Sequence, residues 1–148
     1  VEELVSLDRA GNAIRRIIRD HGRFPEELRK SLRPQMRAAG QTLLADARRR
    51  ASWSTRIPKS LRLATSFTKR QAGVSIVASR RVAPHARPLE GIRGNAEFRH
   101  PVFGDRDTWV TQSTRPYLVP AVDMHGRRVV EAVNRAVTDA ANAAGYGR

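Results

Sequence analysis

Histidines and carboxylates are the side chains best suited to acid–base or metal chemistry, and this sequence scatters them. His21, His85, His100 and His125 stand apart, with no two at a metal-ligand spacing, so no metal centre is expected. Asp105 and Asp107 are two residues apart, but no further acidic ligands follow at calcium-loop spacing. Glu90 and Glu97 are the only carboxylates between residues 51 and 100. There is no nucleophile elbow, no phosphate-cradling glycine loop and no HExxH pattern. No catalytic constellation emerges, so no cofactor is implied and enzymatic activity is not expected.

The chemistry that remains is that of contact. Five of the eight prolines lie between Ala83 and Val122, with Gly91, Gly94, Gly104 and the aromatic residues Phe98, Phe103, Trp109 and Tyr117. A long irregular stretch inside a domain is usually functional or disordered, and this many large apolar side chains argue against disorder. The stretch reads as an ordered arm, about residues 95–112, whose surface meets a partner. The candidate interface residues are His100, Pro101, Val102, Phe103, Trp109 and Tyr117. Phe103 and Trp109 have a competing role, covering a hairpin within one subunit.

A second contact chemistry is electrostatic. The 148 residues carry a net charge of +14, and Arg far outnumbers Lys. Net charge is +5 over residues 1–50, +8 over 51–100 and +1 over 101–148. A basic chain points to polyanions or acidic surfaces. An arginine- and alanine-rich, lysine-poor chain is also what a GC-rich genome encodes, and then arginine simply fills solvated positions. The candidates for a DNA or acidic-partner contact are Arg56, Lys59, Arg62, Lys69, Arg70, Arg80 and Arg81, all in the middle third.

The elements that must position these residues follow from periodicity. One domain is expected over 1–148, with no disulfide framework because cysteine is absent. No apolar run is long enough to span a membrane, and VEELVSLDRAG lacks the pattern of a signal peptide. Residues 8–21 suit a short helix with Asp8 as N-cap, Ile14, Ile17 and Ile18 on one face and Gly22 as its stop. A short strand fits Leu4–Leu7. Residues 25–52 make the clearest helix, with Pro25 in its first turn, Glu26 and Glu27 at the positive end of the dipole, and Arg48, Arg49 and Arg50 at the other end. Those three arginines read as a solvated helix end. Leu28, Leu32, Met36, Ala39, Leu43 and Ala47 form its apolar stripe. Pro34 should bend this helix, or the helix restarts there after a break at Leu32–Arg33.

After a loop at 53–60, Leu61, Leu63, Thr65 and Phe67 alternate with smaller or polar residues, and Val74, Ile76 and Ala78 do the same. These are the two strands of a hairpin. A lone hairpin is marginal in water, so it needs a third strand or a helix beneath it; the long helix can supply the helix, and third and fourth strands are expected from Ala96–Arg99 and Thr108–Gln112. His85–Gly91 suits one helical turn with Leu89 and Ile92 inward. Pro116 and Pro120 bracket the start of a last helix, whose stripe runs through Val122, Val129, Val130, Val133, Val137, Ala140, Ala141 and Ala144 to Gly145 and Gly147. The fold class is α+β: a long N-terminal amphipathic helix and a C-terminal helix on a small antiparallel sheet, with a projecting Pro/Gly-rich arm.

The order of these elements resembles a known family. The segments that carry the likeness are LRKSLRPQMRAAGQTLLADARRRA (Leu28–Ala51), STRIPKSLR (Ser54–Arg62), HARPLEGI (His85–Ile92), HPVFGDRDTWVTQ (His100–Gln112) and RPYLVPAV (Arg115–Val122). Together they resemble the tail-completion or neck proteins of long-tailed bacteriophages, the head–tail joining family related to minor tail protein Z of lambdoid phages. The chain departs from the family pattern at Arg56-Ile57-Pro58, where a threonine-glycine pair is usual. It departs again at Glu90-Gly91-Ile92, where Glu-Phe-Gly is usual. The resemblance implies a structural protein of the virion neck, assembled in the host cytoplasm. It implies no enzymatic activity and a homo-oligomeric ring, six copies by expectation, around the DNA channel. The implied partners are further copies of the chain, head-completion or connector proteins, tail terminator or tail tube proteins, and non-specifically the genomic DNA, with no membrane. The alternative is a basic nucleoid-type DNA-binding protein using the arm and the arginines on a duplex.

Overall fold

The computed structural model describes residues 14–22, 24–68, 72–91 and 94–146. Residues 14–21 form helix α1, with Ile14 and Ile17 buried and Ile18 packed beside them. Gly22, at φ 68°, ends it. The expected cap at Asp8 and strand at Leu4–Leu7 lie outside the described residues. Helix α2 spans Glu26–Arg50 without interruption, Pro25 being the last residue before it. The restart at Pro34 does not occur. Proline there removes one bond to the exposed Lys30, and Pro34 itself is exposed, so its ring crowds no packed neighbour.

Five of the six expected stripe residues of α2 are buried, and Ala39 is half-buried. Most of the stripe meets α5 (Leu118–Ala143), the C-terminal helix, which runs along α2. The core has two parts. Leu28, Leu32 and Met36 pack with Ile14, Ile17, Phe24, Val133 and Val137. Leu44, Ala47 and Ala51 pack with Ile57, Leu61, Leu89, Tyr117 and Ala121. Burying each large aliphatic side chain contributes about 1.5–3 kcal/mol, which is what holds the two helices together.

Asp46, 5 % exposed, is a buried carboxylate on α2. Its carboxylate accepts hydrogen bonds from Arg49, and from Arg50 Nε at 2.9 Å, and it contacts His125 Nε2 of α5 at 3.1 Å. The hydrogen bonds from Arg49 and Arg50 hold its pKa at about 2 against desolvation that would raise it. Arg48 donates from Nη2 to the Leu61 carbonyl at 2.7 Å. The Arg48–Arg50 run is therefore not merely a solvated end, since all three guanidinium groups hold parts of the fold.

The short helix α3 (Ile57–Ser60) lies inside the expected loop and leads into β1 (Leu61–Phe67). β1 pairs antiparallel with β2 (Ala72–Ala78), Leu61 opposite Ala78 and Leu63 opposite Ile76. The apolar face of this hairpin lies on α2. Gly40 permits that approach: a Cβ there would sit 2.9 Å from Leu63 Cδ2 and 3.0 Å from Val74 Cγ1.

After α4 (Ala86–Glu90), which buries Leu89 as expected, come β3 (Glu97–Val102) and β4 (Asp105–Ser113). Ile92, expected inward with Leu89, lies outside the described residues. β3 and β4 pair with each other in a second two-stranded sheet and do not extend the first. The expectation of third and fourth strands in the same sheet is thus corrected, whereas the long helix does lie beneath β1–β2 as expected. The architecture is α+β, with the long helices α2 and α5 and two small antiparallel hairpins. No helix of the described residues is long and apolar enough to cross a membrane.

Candidate functional site

The site is the β3–β4 arm, and it begins at a clamp. The first four residues of a helix have N–H groups with no partner inside the helix. At the start of α5 three of them converge on one carboxylate. Tyr117 and Leu118 N–H donate to Glu90 Oε2, both at 2.8 Å, and Val119 N–H donates to Oε1 at 2.7 Å. The next residue is Pro120, which has no N–H to satisfy. The Tyr117 hydroxyl donates to the Ala86 carbonyl at 2.9 Å, and Arg115 N–H donates to the Leu89 carbonyl at 2.8 Å. α4 and the start of α5 are thereby tied together on either side of the arm.

The root is tied as well. Thr114 N–H donates to the Ala96 carbonyl at 2.8 Å, and its hydroxyl reaches the Asn95 and Ala96 carbonyls. Gly91 turns the chain at φ 94°, and a Cβ there would lie 2.8 Å from the Asn95 carbonyl oxygen, so only glycine fits. Phe98 packs into the second core cluster. The Arg115 guanidinium lies over the Trp53 ring, 4.4 Å from its centroid.

Beyond this root the arm stands free. Residues 101–113 are all exposed, and β3 and β4 pack on each other rather than on the body. At about 3.3 Å per residue, a nine-residue strand carries the tip roughly 30 Å along the chain direction. Pro101 is paired across the ladder with Trp109, and His100 with Val110. His100 Nε2 lies 3.0 Å from Gln112 Oε1. A register shift at Pro101/Val102 precedes the turn. At the tip Phe103 is completely exposed and Trp109 is 51 % exposed. Asp105 organises the tip by accepting bonds from the Thr108 hydroxyl at 2.6 Å and from Asp107 N–H at 2.9 Å. The Thr108 hydroxyl, then these backbone N–H groups, lower its pKa.

Of the six candidate arm residues, His100, Pro101, Val102, Phe103 and Trp109 are brought together on β3–β4. Tyr117 is not among them. It is 2 % exposed and belongs to the core, its hydroxyl satisfied internally. Desolvation, then the nearby Glu90 carboxylate, push its phenol up to about 12.

The structure gathers Arg56, Lys59, Arg62, Arg80 and Arg81 at one end of the β1–β2 hairpin. Ser79 N–H donates to the Ser60 carbonyl there at 3.0 Å, joining the chain around α3 to the end of β2. All five are exposed and none makes an ion pair among the described residues. Lys69 and Arg70 lie outside the described residues. No group of three or more His, Cys, Asp or Glu side chains converges to hold a metal among the described residues.

Sequence reasoning missed Glu90 as the clamp and Asp46 as the centre of the α2–α5 polar contact. A signal for Glu90 existed: Arg115-Pro116-Tyr117 offers no Ser, Thr, Asp or Asn to cap the helix that follows, so the acceptor had to come from elsewhere. Asp46, three and four residues before Arg49 and Arg50, was legible as a helical ion-pair pattern. No family model matches the chain, and no curated protein or solved structure matches it either.

Proposed function

We propose that this chain is a structural protein of the neck of a long-tailed bacteriophage. It joins the DNA-filled head to the tail as a homo-oligomeric ring around the DNA channel, hexameric by family resemblance. The observation that supports this most is the arm: a hairpin exposed throughout residues 101–113, with Phe103 at its tip, on a root clamped by Glu90 and Thr114. A monomer in solution has no use for an apolar side chain held so far from its core. An assembly protein uses it to reach a neighbour. The sequence segments that resemble the neck family are what suggest the identity of that assembly. The basic end of the β1–β2 hairpin is assigned to an acidic protein surface in the neck, because a strongly basic channel wall would hold DNA that must slide through.

Deleting residues 101–109 in the encoding phage tests this. Filled heads and free tails that fail to join are expected by electron microscopy. Normally joined virions would overturn the assignment. The convergence of Arg56, Lys59, Arg62, Arg80 and Arg81 supports a second reading, a nucleoid-type DNA-binding protein. Tight, salt-sensitive binding of the isolated chain to duplex DNA, with joining intact in the deletion phage, would favour it.

A further inference from the structure

The chain carries an apolar socket as well as an apolar projection. Between the β1–β2 hairpin and α5 lies an open hollow of about 260 Å³, lined by Leu63, Val74, Ile76, Val122, Gly126 and Val129. Gly126 has no side chain to fill it, and Val122 remains 45 % exposed at its rim. An apolar cavity of about 150 Å³ already accommodates benzene. The hollow therefore takes a phenyl ring and part of the chain that bears it. Among the described residues β2 is paired only with β1, so its outer edge still offers backbone hydrogen bonds. Each strand of the arm is likewise paired on one side only.

The arm is the occupant with matching chemistry. Phe103 lies at its tip, flanked by the exposed Val102, and nothing among the described residues covers either. Projection and socket are different surfaces of one molecule. A contact between them is head-to-tail, and such contacts close into a ring when the rotation per subunit allows. We propose that the arm tip of one copy, led by Phe103, docks into the hollow between the β1–β2 hairpin and α5 of the next copy. A strand edge beside an apolar pocket is a recurrent acceptor for an extended segment, with backbone bonds for affinity and the pocket for specificity. The proposal rests on the ring of the preceding subsection and names the two surfaces that build it.

The absence of cysteine makes the test direct. Val102→Cys and Val122→Cys are combined in the full chain, which keeps Phe103, and the protein is oxidised over a range of concentrations and resolved without reductant. The expected result is a ladder of covalent oligomers that ends at one closed species, with neither single variant giving more than dimers. A bond formed within one chain would mean that the arm folds onto its own hollow, and would overturn the proposal. So would a chain that stays monomeric at every concentration, or a native oligomer that the pair fails to cross-link.

Gly126→Leu supplies a second arm of the test, because it fills the socket at a helical position; its Cβ would lie 3.3 Å from Val122 Cγ1, a side chain at the open rim that can turn aside. The variant is expected to fold as the parent does and to lose at least tenfold in self-association. Unchanged association in a folded Gly126→Leu chain would also overturn the docking. Failure of cross-linking in an intact ring leaves the neck reading standing. A ladder in a protein whose arm-deleted phage still joins heads to tails removes the neck reading and keeps the docking.

Discussion

Replacing Glu90 by alanine removes a single exposed-to-half-buried carboxylate and orphans three backbone donors at once. Tyr117, Leu118 and Val119 N–H lose acceptors at 2.8, 2.8 and 2.7 Å. Loss of an ordinary N-cap costs about 1 kcal/mol. Here the acceptor is charged, sits at the positive end of the α5 dipole and serves two donors that are partly buried, where water replaces it poorly. The Val119 donor is exposed and is resolvated at little cost. The net loss comes to about 3 kcal/mol, and for a chain of 148 residues that lowers the melting midpoint by roughly 6–12 °C. Glu90→Gln keeps an acceptor oxygen and loses the charge, so about half of that loss is expected.

Urea unfolding followed by circular dichroism gives the free energies, and amide exchange at Tyr117, Leu118 and Val119 locates them. Those three amides should exchange much faster in Glu90→Ala, while α2 amides follow only the global change. A Glu90→Ala midpoint within about 0.5 kcal/mol of the parent would refute the clamp. Uniform loss of protection across the chain would refute its locality.

Three further outcomes follow from the same structure. Asp46 has a folded pKa of about 2, below its ordinary value of 3.8, so it stabilises the fold above pH 3.8 and that contribution is lost as pH falls through 2; it amounts to about 2 kcal/mol, and Asp46→Asn should flatten the acid limb of the stability profile. Gly40→Val should cost about 1–3 kcal/mol by forcing Leu63 and Val74 away from α2, read as a lower urea midpoint with β1–β2 amides exchanging faster. The Tyr117 phenol should ionise near 12 by ultraviolet absorbance while the chain stays folded; its contribution is complete below the ordinary value of 10 and is lost as pH rises through 12, and Tyr117→Phe should remove that loss.

Much of the scaffold was legible because helix and strand periods are local properties. Leu28, Leu32, Met36, Leu43 and Ala47 recur at three- and four-residue spacing, and α2 buries them all. The alternation of Leu61, Leu63, Thr65 and Phe67 fixes a strand and its face. It says nothing of which strand comes next to it, and so β3–β4 was placed beside β1–β2 when it forms its own sheet. Tyr117 misled for a related reason. An aromatic between prolines reads as surface in one dimension, but the clamp folds it under α4. The stripe of α5 was only half diagnostic. Val133, Val137 and Ala141 are buried as the period demands, whereas Val122 and Val130 keep the period and remain exposed.

That last discrepancy bears on what the arm is for. A lone two-stranded hairpin is marginal in water, and among the described residues β3–β4 packs on the core clusters only through Phe98 at its root. Its order comes from the ends: Gly91 and Thr114 fix the root, and the Asp105–Thr108 bonds fix the tip. Such an arrangement holds direction without a core of its own. It is suited to a segment that must reach outward before it has found its partner. The exposed Val122 and Val130 lie on the same chain and satisfy the helical period with nothing to cover them. Within one subunit, the bare arm and the bare valines are two separate departures from good packing. In the docking proposed between subunits, each supplies what the other lacks.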